Sequence, residues 1–480
     1  MLVTSPEYMF IFLPIVLIVY FLLNKFKLLK LSLCFLVAAS LYFYAYFKVS
    51  NLGLILISVI FNYSIGSILA EKENCKINRK LAMVLGVLGN VLFLVYFKYS
   101  NFLLENINLL FHQQISYKNI ALPLGISFFT FQQIAYVVDS YNEKIEKSDF
   151  LNYLLFVTFF PKIFAGPIIK YEEVMSQFAN LKNKFINWEN MSRGLFQFVV
   201  GLFKKVVIAD TLSKFVAMGF DTHATLSTLE AWLVMLSYTF QIYYDFSGYT
   251  DMALGAAKMF NINLPQNFNN PYRALDIQDF WRRWHITLSR FLRDYIYIPL
   301  GGNRKGEFKT YRNLFFTFLI GGIWHGASWM FVMWGVLHGV GCVINRLWRK
   351  TNIELHKAFS WIITFLYLNL TWLFFRADNF STVKRISKGL LGLNGFSIPK
   401  IYFPLIKFAP NISGLTEWEA LLLFLIPILI IIIFVNIFRN NTTKFKPSLY
   451  YVLLITIMFL SVMYNIVKPD YSSPFIYFKF

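Results

Sequence analysis

Residues 8–24 read YMFIFLPIVLIVYFLLN, and residues 52–70 read LGLILISVIFNYSIGSILA. Neither run holds a charged residue, and each is close to the roughly 20 residues that carry a helix across a hydrocarbon core at about 1.5 Å per residue. Outward from these two, runs of the same kind occupy 29–47, 81–97, 150–168, 228–246, 357–375, 418–438 and 449–466. Less uniform stretches at 120–138, 192–219 and 314–345 add crossings or re-entrant pieces. Lipid offers no hydrogen-bond partners, so a spanning segment must satisfy its own backbone. The expected fold is therefore an all-α polytopic membrane protein of about 10–12 transmembrane helices with re-entrant and interfacial helices.

Composition agrees. Of 480 residues, 57% are hydrophobic, 19% aromatic and only 15% charged, and the mean hydropathy is +0.54. A soluble domain carries about a quarter charged residues. The N-terminus has no basic region and no small-residue cleavage site, so residues 8–24 read as a retained span. The three cysteines, Cys34, Cys75 and Cys342, lie too far apart for a metal or disulfide pattern.

The net charge of +20 would suit nucleic acid, but its placement follows the positive-inside bias of short membrane loops, and no nucleic-acid partner is expected. Lys25, Lys27 and Lys30 follow the first span, and Lys72, Lys76, Arg79 and Lys80 follow the third. The intervening loop has only Lys48. That alternation puts the N-terminus outside the cytoplasmic (inner) membrane. Arg439, Lys444 and Lys446 before the last span put the C-terminal tail outside as well. Basic clusters at 304–312 and 346–350 make 314–345 a hairpin or re-entrant pair that enters and leaves on one side.

The chain reads as one membrane domain over 1–480. Residues 1–119 are scaffold spans, 120–345 a catalytic core in which polar and helix-breaking residues interrupt apolar stretches, and 346–480 further scaffold spans and a tail. Polar groups at membrane depth are costly and face cavities or partners.

Two motifs stand out in the core. At about 100° per residue, Phe280–Tyr295 forms an amphipathic helix at the membrane boundary. Arg282, Arg283, Arg290 and Arg293 share one sector about 100° wide, with Trp281 and Trp284 opposite and His285 at the edge. An interfacial anchor explains these arginines but has no need of imidazole. The second motif is Gly321-Gly322-Ile323-Trp324-His325-Gly326-Ala327, followed by Trp334 and His338. A helix starting after Asn313 carries His325 roughly 18 Å into the membrane. Flanking glycines permit close approach of a backbone or a thin substrate, and imidazole can take and return a hydroxyl proton. The competing reading is a histidine packed against a neighbouring span.

The ordered series FPKIFAGP (160–167), YYDFSGYTDMA (243–253), NFNNPY (267–272), FWRRWH (280–285), YIPLGG (297–302) and WHGA (324–327) resembles the membrane-bound O-acyltransferase family. It is most similar to the bacterial branch that serves alginate and peptidoglycan O-acetylation, with D-alanyl transfer to teichoic acid a close relative. The resemblance implies helices around a central funnel or tunnel, His325 as the catalytic histidine, and His285 at the earlier polar position of the pair. It also implies an acetyl thioester donor, acetyl-CoA, approaching from the cytoplasm. The four arginines would suit its phosphates electrostatically. His325 would act as general base toward an acceptor hydroxyl, or shuttle a proton as thiolate leaves, while His285 orients it or binds the acyl carbonyl. Trp281, Arg282, Trp324 and Asp245 are the candidates for contact with substrate. No bound cofactor and no metal are expected.

Asp245, Ser247 and Asp251 line the same cavity or, since Asp-Phe-Ser-Gly is a good turn sequence, form a loop. The apolar tail Pro474–Phe480 follows the last span on the outer side and could fold back, letting Tyr477 accept the acetyl group. The alternative is interfacial anchoring of the tail's aromatic rings. Besides membrane lipids, a periplasmic or cell-surface O-acetyltransferase is the expected partner, because the chain has no large outer domain to hold a polymer. A transporter is the competing class, since broken helices and buried polar groups occur there too. The sequence offers no inverted repeat and no membrane-buried acidic pair to support it. Its richness in Lys, Asn, Ile, Phe and Tyr suggests an AT-rich genome and leans toward peptidoglycan over alginate.

Overall fold

The structure, a computed structural model, describes residues 1–71, 78–118, 120–145, 148–164, 166–396, 448–468, 471 and 475–476. These residues form helices and connecting turns, with no strand among them. In chain order the helices are α1 (Leu13–Lys25), α2 (Leu29–Ala45), α3 (Ser50–Ala70), α4 (Arg79–Leu94), α5 (Ser100–Phe111), α6 (Ile126–Tyr141), α7 (Phe150–Thr158), α8 (Tyr171–Ala179) and α9 (Trp188–Leu202). There follow α10 (Asp210–Phe220), α11 (Thr228–Met259), α12 (Ile277–Arg283), α13 (Ile286–Leu292), α14 (Glu307–His325), α15 (Trp329–Trp348), α16 (Lys357–Arg376), α17 (Phe380–Leu390) and α18 (Leu449–Ile466).

Six helical stretches are long and apolar enough to cross a membrane among the described residues. They are Tyr8–Lys25, Ser50–Ala70, Arg79–Phe111, Trp329–Trp348, Lys357–Arg376 and Leu449–Ile466, and Leu29–Ala45 is a shorter apolar helix. The protein is an all-α, multi-pass membrane protein. The expected run at 418–438 lies outside the described residues.

The other expected spans take different forms. The run at 150–168 is helical only to Thr158, after which the chain turns through Phe159–Phe164. Pro161 has no N–H to extend a helix, and Lys162 folds inward onto the Gln132 side chain (2.5 Å) and the Val157 carbonyl (3.3 Å). The run at 228–246 is the first part of α11, a 32-residue helix that forms the axis of the molecule and is buried on nearly every face. A reciprocal cap starts it: Ser227 Oγ accepts from the Glu230 N–H, and Glu230 accepts from the Ser227 N–H at 2.9 Å. The expected turn at Asp245-Phe246-Ser247-Gly248 is mid-helix in α11, which corrects that reading. Local turn propensity lost to tertiary partners described below.

α9 lies against α11 through two glycine pairs seven residues apart. A Cβ on Gly194 would stand 2.7 Å from the Gly255 carbonyl, and one on Gly201 would stand 2.6 Å from the Gly248 carbonyl. Small residues at this repeat let two membrane helices touch along their backbones. The chain from α9 to α10 runs through a wide π-helical turn, Phe203–Ala209, which points Lys204 and Lys205 inward at α11.

α14 and α15 form the expected hairpin, antiparallel about the short link Gly326–Ser328. Gly322 and Gly335 meet at the crossing, where a Cβ on Gly322 would stand 2.6 Å from the Gly335 Cα. At the open end of the hairpin Lys350 pairs with Glu307. α14 starts six residues before Asn313, so His325 sits at its last turn, about 27 Å along the axis from Glu307.

Candidate active site

The segment 280–295 is not one amphipathic helix. It breaks at Trp284, which is extended, and at His285, which has φ 41° in the left-handed region that a residue with a side chain rarely adopts. The incoming loop replaces the lost helical bonds. Asn269 N–H donates to the Arg283 carbonyl, and Ile286 N–H donates to the Asn267 carbonyl, both at 2.9 Å. The Asn267 side-chain oxygen then meets His285 Nδ1 at 3.0 Å, Thr287 N–H at 3.2 Å and Thr287 Oγ1 at 2.9 Å. The break swings His285 from the expected helix edge into the interior, where it is 0% exposed.

The shared arginine sector goes with the helix. Arg283 pairs with Asp279 at 2.9 Å, and Arg290 grips both oxygens of Glu173 at 2.6 and 2.9 Å. Arg293 pairs with Asp294 at 2.8 Å. Among the described residues Arg282 is the exposed member of the four with no carboxylate partner.

His325 closes α14. Its ring lies 5.0 Å from Trp324, 4.9 Å from Trp334 and 5.2 Å from Phe375. Trp324 stands between the two histidines, with its ring centre 6.3 Å from His285. The Trp324 indole stacks on Phe131 at 4.9 Å and donates to the Ser127 carbonyl at 3.3 Å. Phe128 and Phe246 close the other sides of His285, at 6.4 and 4.8 Å. Two motifs forty residues apart are thus folded around a single indole.

A third histidine joins them. His338 of α15 is fully buried, its Nδ1 accepts from the Trp281 indole N–H at 3.2 Å, and its ring lies 4.4 Å from Trp334. Trp281 is therefore a buried partner of His338, packed also on Phe318 at 5.0 Å. Among the described residues neither His285 Nε2 nor His338 Nε2 has a hydrogen-bond partner. Each buried polar atom left so costs about 1–3 kcal/mol, and such a group in a native site calls for an explanation.

The scaffold region contributes a residue that sequence reasoning passed over. Lys98, in the π-helical turn Val95–Tyr99 between α4 and α5, sends its ammonium to the end of α14. It donates to the Trp324 carbonyl (2.7 Å), the His325 carbonyl (3.0 Å) and Ser127 Oγ (3.0 Å), and Tyr99 Oη donates to the Ile323 carbonyl at 2.5 Å. The last carbonyls of a helix have no partners in the helix itself and carry its negative end, so a cation suits that position. Lys98 stands at the end of an apolar run with no motif around it, and only its place against α14 reveals the cap.

Asp245 takes part in a different cluster. It is buried, with Lys205 Nζ at 2.5 Å. Lys205 also pairs with Asp210 at 2.9 Å, and Lys204 pairs with Asp251 at 2.5 Å. Two buried carboxylates thus stand on α11 against the sequence reading that found no such pair, but each is paired with a lysine, Asp251 with Lys204 and Asp245 with the Lys205 that Asp210 shares. The C-terminal tail comes to this cluster. Tyr471 Oη donates to Asp210 at 3.0 Å, Ile476 N–H donates to Asp245 at 3.0 Å, and the buried Phe475 ring lies 4.7 Å from Tyr249 and 5.8 Å from Phe246. Phe246 also touches His285. The tail therefore does return to the protein interior, while Tyr477 lies outside the described residues.

Comparison with known proteins places the chain in a family. The model of the membrane-bound O-acyltransferase family matches residues 9–381. A peptidoglycan O-acetyltransferase of Helicobacter pylori is 41% identical, over 100% of this chain and 98% of its own length. A probable alginate O-acetylase of Pseudomonas aeruginosa is 35% identical over 89% of this chain and 80% of its own length. A teichoic acid D-alanyltransferase of Bacillus subtilis is 27% identical over 51% of this chain and 63% of its own length.

Proposed function

The chain belongs to the membrane-bound O-acyltransferase family and is an acyltransferase, and from that premise we propose that it passes acetyl groups from a cytoplasmic thioester across the membrane for O-acetylation of a cell-wall glycan. The observation that carries this reading is the pair His285 and His325, buried together around Trp324 in an otherwise apolar setting. Imidazole there can take a proton from a hydroxyl and return it to a leaving thiolate. The peptidoglycan O-acetyltransferase similar to this chain from end to end favours peptidoglycan as the glycan. The D-alanyltransferase likeness spans half the chain and makes D-alanyl transfer the second reading.

In this reading acetyl-CoA is the donor, and Arg282, free of a carboxylate partner among the described residues, is the arginine best disposed to its phosphates. His325 serves the thioester, and Trp324 holds the two imidazoles apart. The tail supports transfer outward: Phe475 and Ile476 lie against α11 beside Phe246, and the next residue is Tyr477, an acceptor hydroxyl. A periplasmic or cell-surface transferase then takes the acetyl group to the glycan from a protein seated in the cytoplasmic membrane with both termini outside.

The test is acetyl-CoA consumption by the purified protein in nanodiscs, wild type beside His325→Ala, with a glycan acceptor and the partner present. Turnover by wild type and none by the variant supports the reading. No turnover by either sinks acetyl-CoA as the donor and moves carrier-bound D-alanine ahead. Glycan acetylation left intact in cells by Tyr477→Phe removes the tail from the route.

A further inference from the structure

The Asn267 oxygen can be identified from its neighbours. Thr287 N–H, which can only donate, meets that side-chain atom at 3.2 Å, so the atom is Oδ1 and an acceptor. His285 Nδ1 lies 3.0 Å from the same oxygen and must therefore carry the proton. A neutral imidazole has one N–H, so Nε2 holds a lone pair. That nitrogen is buried among Phe128, Phe246 and Trp324 and has no hydrogen-bond partner among the described residues.

We propose that Asn267 is a positioning residue that locks His285 as the Nδ1–H tautomer, so that Nε2 accepts the acceptor hydroxyl's proton and cannot bind the acyl carbonyl. The inference rests on the acyl-transfer reading above and divides the labour within it. A carbonyl oxygen offers only lone pairs, and Nε2 offers a lone pair back, so that contact is repulsive. An O–H satisfies the nitrogen. In the reaction the hydroxyl proton moves to Nε2 as the oxygen's electron pair bonds to the thioester carbon. The C–S pair leaves with sulfur, and the His285 imidazolium gives its Nε2 proton to the thiolate. Ester and thiol result, and both histidines end neutral.

The fixed backbone makes the lock specific. Ile286 N–H on the Asn267 carbonyl and Thr287 N–H and Oγ1 on its side chain hold that residue from both ends, and His285 hangs from the same oxygen in its left-handed conformation. His338 shows the opposite arrangement. Its Nδ1 accepts from the Trp281 indole, a pure donor, so its proton is on Nε2. Two of the three buried histidines thus hold their protons on different nitrogens, each set by a neighbour of fixed polarity.

The first test needs no variant of the lock. In the full-length protein in nanodiscs, labelled with ¹⁵N-histidine, the His285 signals are found by their loss in His285→Gln. A protonated Nδ1 and unprotonated Nε2 are expected, and the reverse overturns the proposal. The second test separates hydroxyl from carbonyl with the ketone analogue of acetyl-CoA, in which methylene replaces the thioester sulfur. Asn267→Leu should lower acetyl transfer about 10²-fold while analogue affinity stays within about twofold. Asn267→Asp, which keeps an acceptor for all three donors, should stay within about tenfold of wild-type transfer. Analogue affinity falling in step with transfer, or Asn267→Asp as inactive as Asn267→Leu, overturns it. If wild type consumes no thioester, the acyl-transfer reading fails, and the ¹⁵N tautomer still decides the lock.

Discussion

Two polar clusters lie near the Phe246 ring, which touches both His285 and the tail's Phe475, and they are built on opposite rules. On one side Lys204 pairs with Asp251, and Lys205 with both Asp210 and Asp245, all within 2.9 Å. On the other side His285 and His338 are held by one neutral neighbour apiece, Asn267 and Trp281, and each keeps a second nitrogen without a partner among the described residues. A cluster whose ionic groups pair with one another is held together from within. One held at a single point, with its reactive atoms unspent, is arranged to meet something else. The difference suits the first to anchoring and, under the proposed function, the second to chemistry.

That assignment can be broken most directly at the histidines. His325→Ala should cost about 10³-fold in acetyl transfer, since general acid–base groups supply about 10²–10⁴-fold, and should leave the unfolding midpoint in detergent nearly unchanged. A large fall in the midpoint would show that the histidine cluster too is structural. Lys205→Met should do the reverse. It strands Asp245 and Asp210 without their cation, and removing one member of a buried ion pair costs about 3–5 kcal/mol, which a thermal melt of the purified protein would read as a sharp loss. A melt that does not move would mean that the charged cluster carries little of the fold.

Lys98→Met tests a residue between the two kinds, charged like the first cluster but attached to the second. It removes the cap on Trp324 and His325, and transfer should fall about 10- to 100-fold by loss of orientation, with the acetyl-CoA KM steady; a change confined to KM would argue against a positioning role. Smallest is Tyr471→Phe, which deletes one hydrogen bond to Asp210, worth about 1.5–3 kcal/mol at a carboxylate acceptor. Its effect should be local, seen as faster hydrogen exchange at the Ile476 amide with the rest of the protein unchanged.

The parts of this molecule legible in its sequence are those written in apolar runs and in polar residues that have no ordinary place at membrane depth. The hairpin at 314–345 and the pairing of His325 with His285 belong there, because burying imidazole in lipid is costly enough to mark the spot. The break at Trp284 and His285 was not legible, because helical periodicity runs through 280–295 without a glycine or proline. The cause lies in Asn267 and Asn269, which supply the missing bonds from another segment. Asp245 was misjudged for a similar reason. Asp-Phe-Ser-Gly favours a turn locally, but Lys205 approaches from α9's π-helical extension and makes the helix the better place for the carboxylate. Arg283, Arg290 and Arg293 met acidic partners: Asp279 one helical turn before, Asp294 next in sequence, and Glu173 in α8, which helical periodicity could not reveal.

The cap by Lys98 also has a mechanical meaning. One ammonium ties the tip of the α14–α15 hairpin to Ser127 at the start of α6 and to the stem joining α4 and α5, and Tyr99 adds a fourth tie a residue away. A hairpin pinned at its tip cannot rock or slide by itself. Any movement of the hairpin must carry the N-terminal spans along as one rigid piece or shear all four ties together, so the stiffness around His325 is set by helices outside the hairpin that carries it.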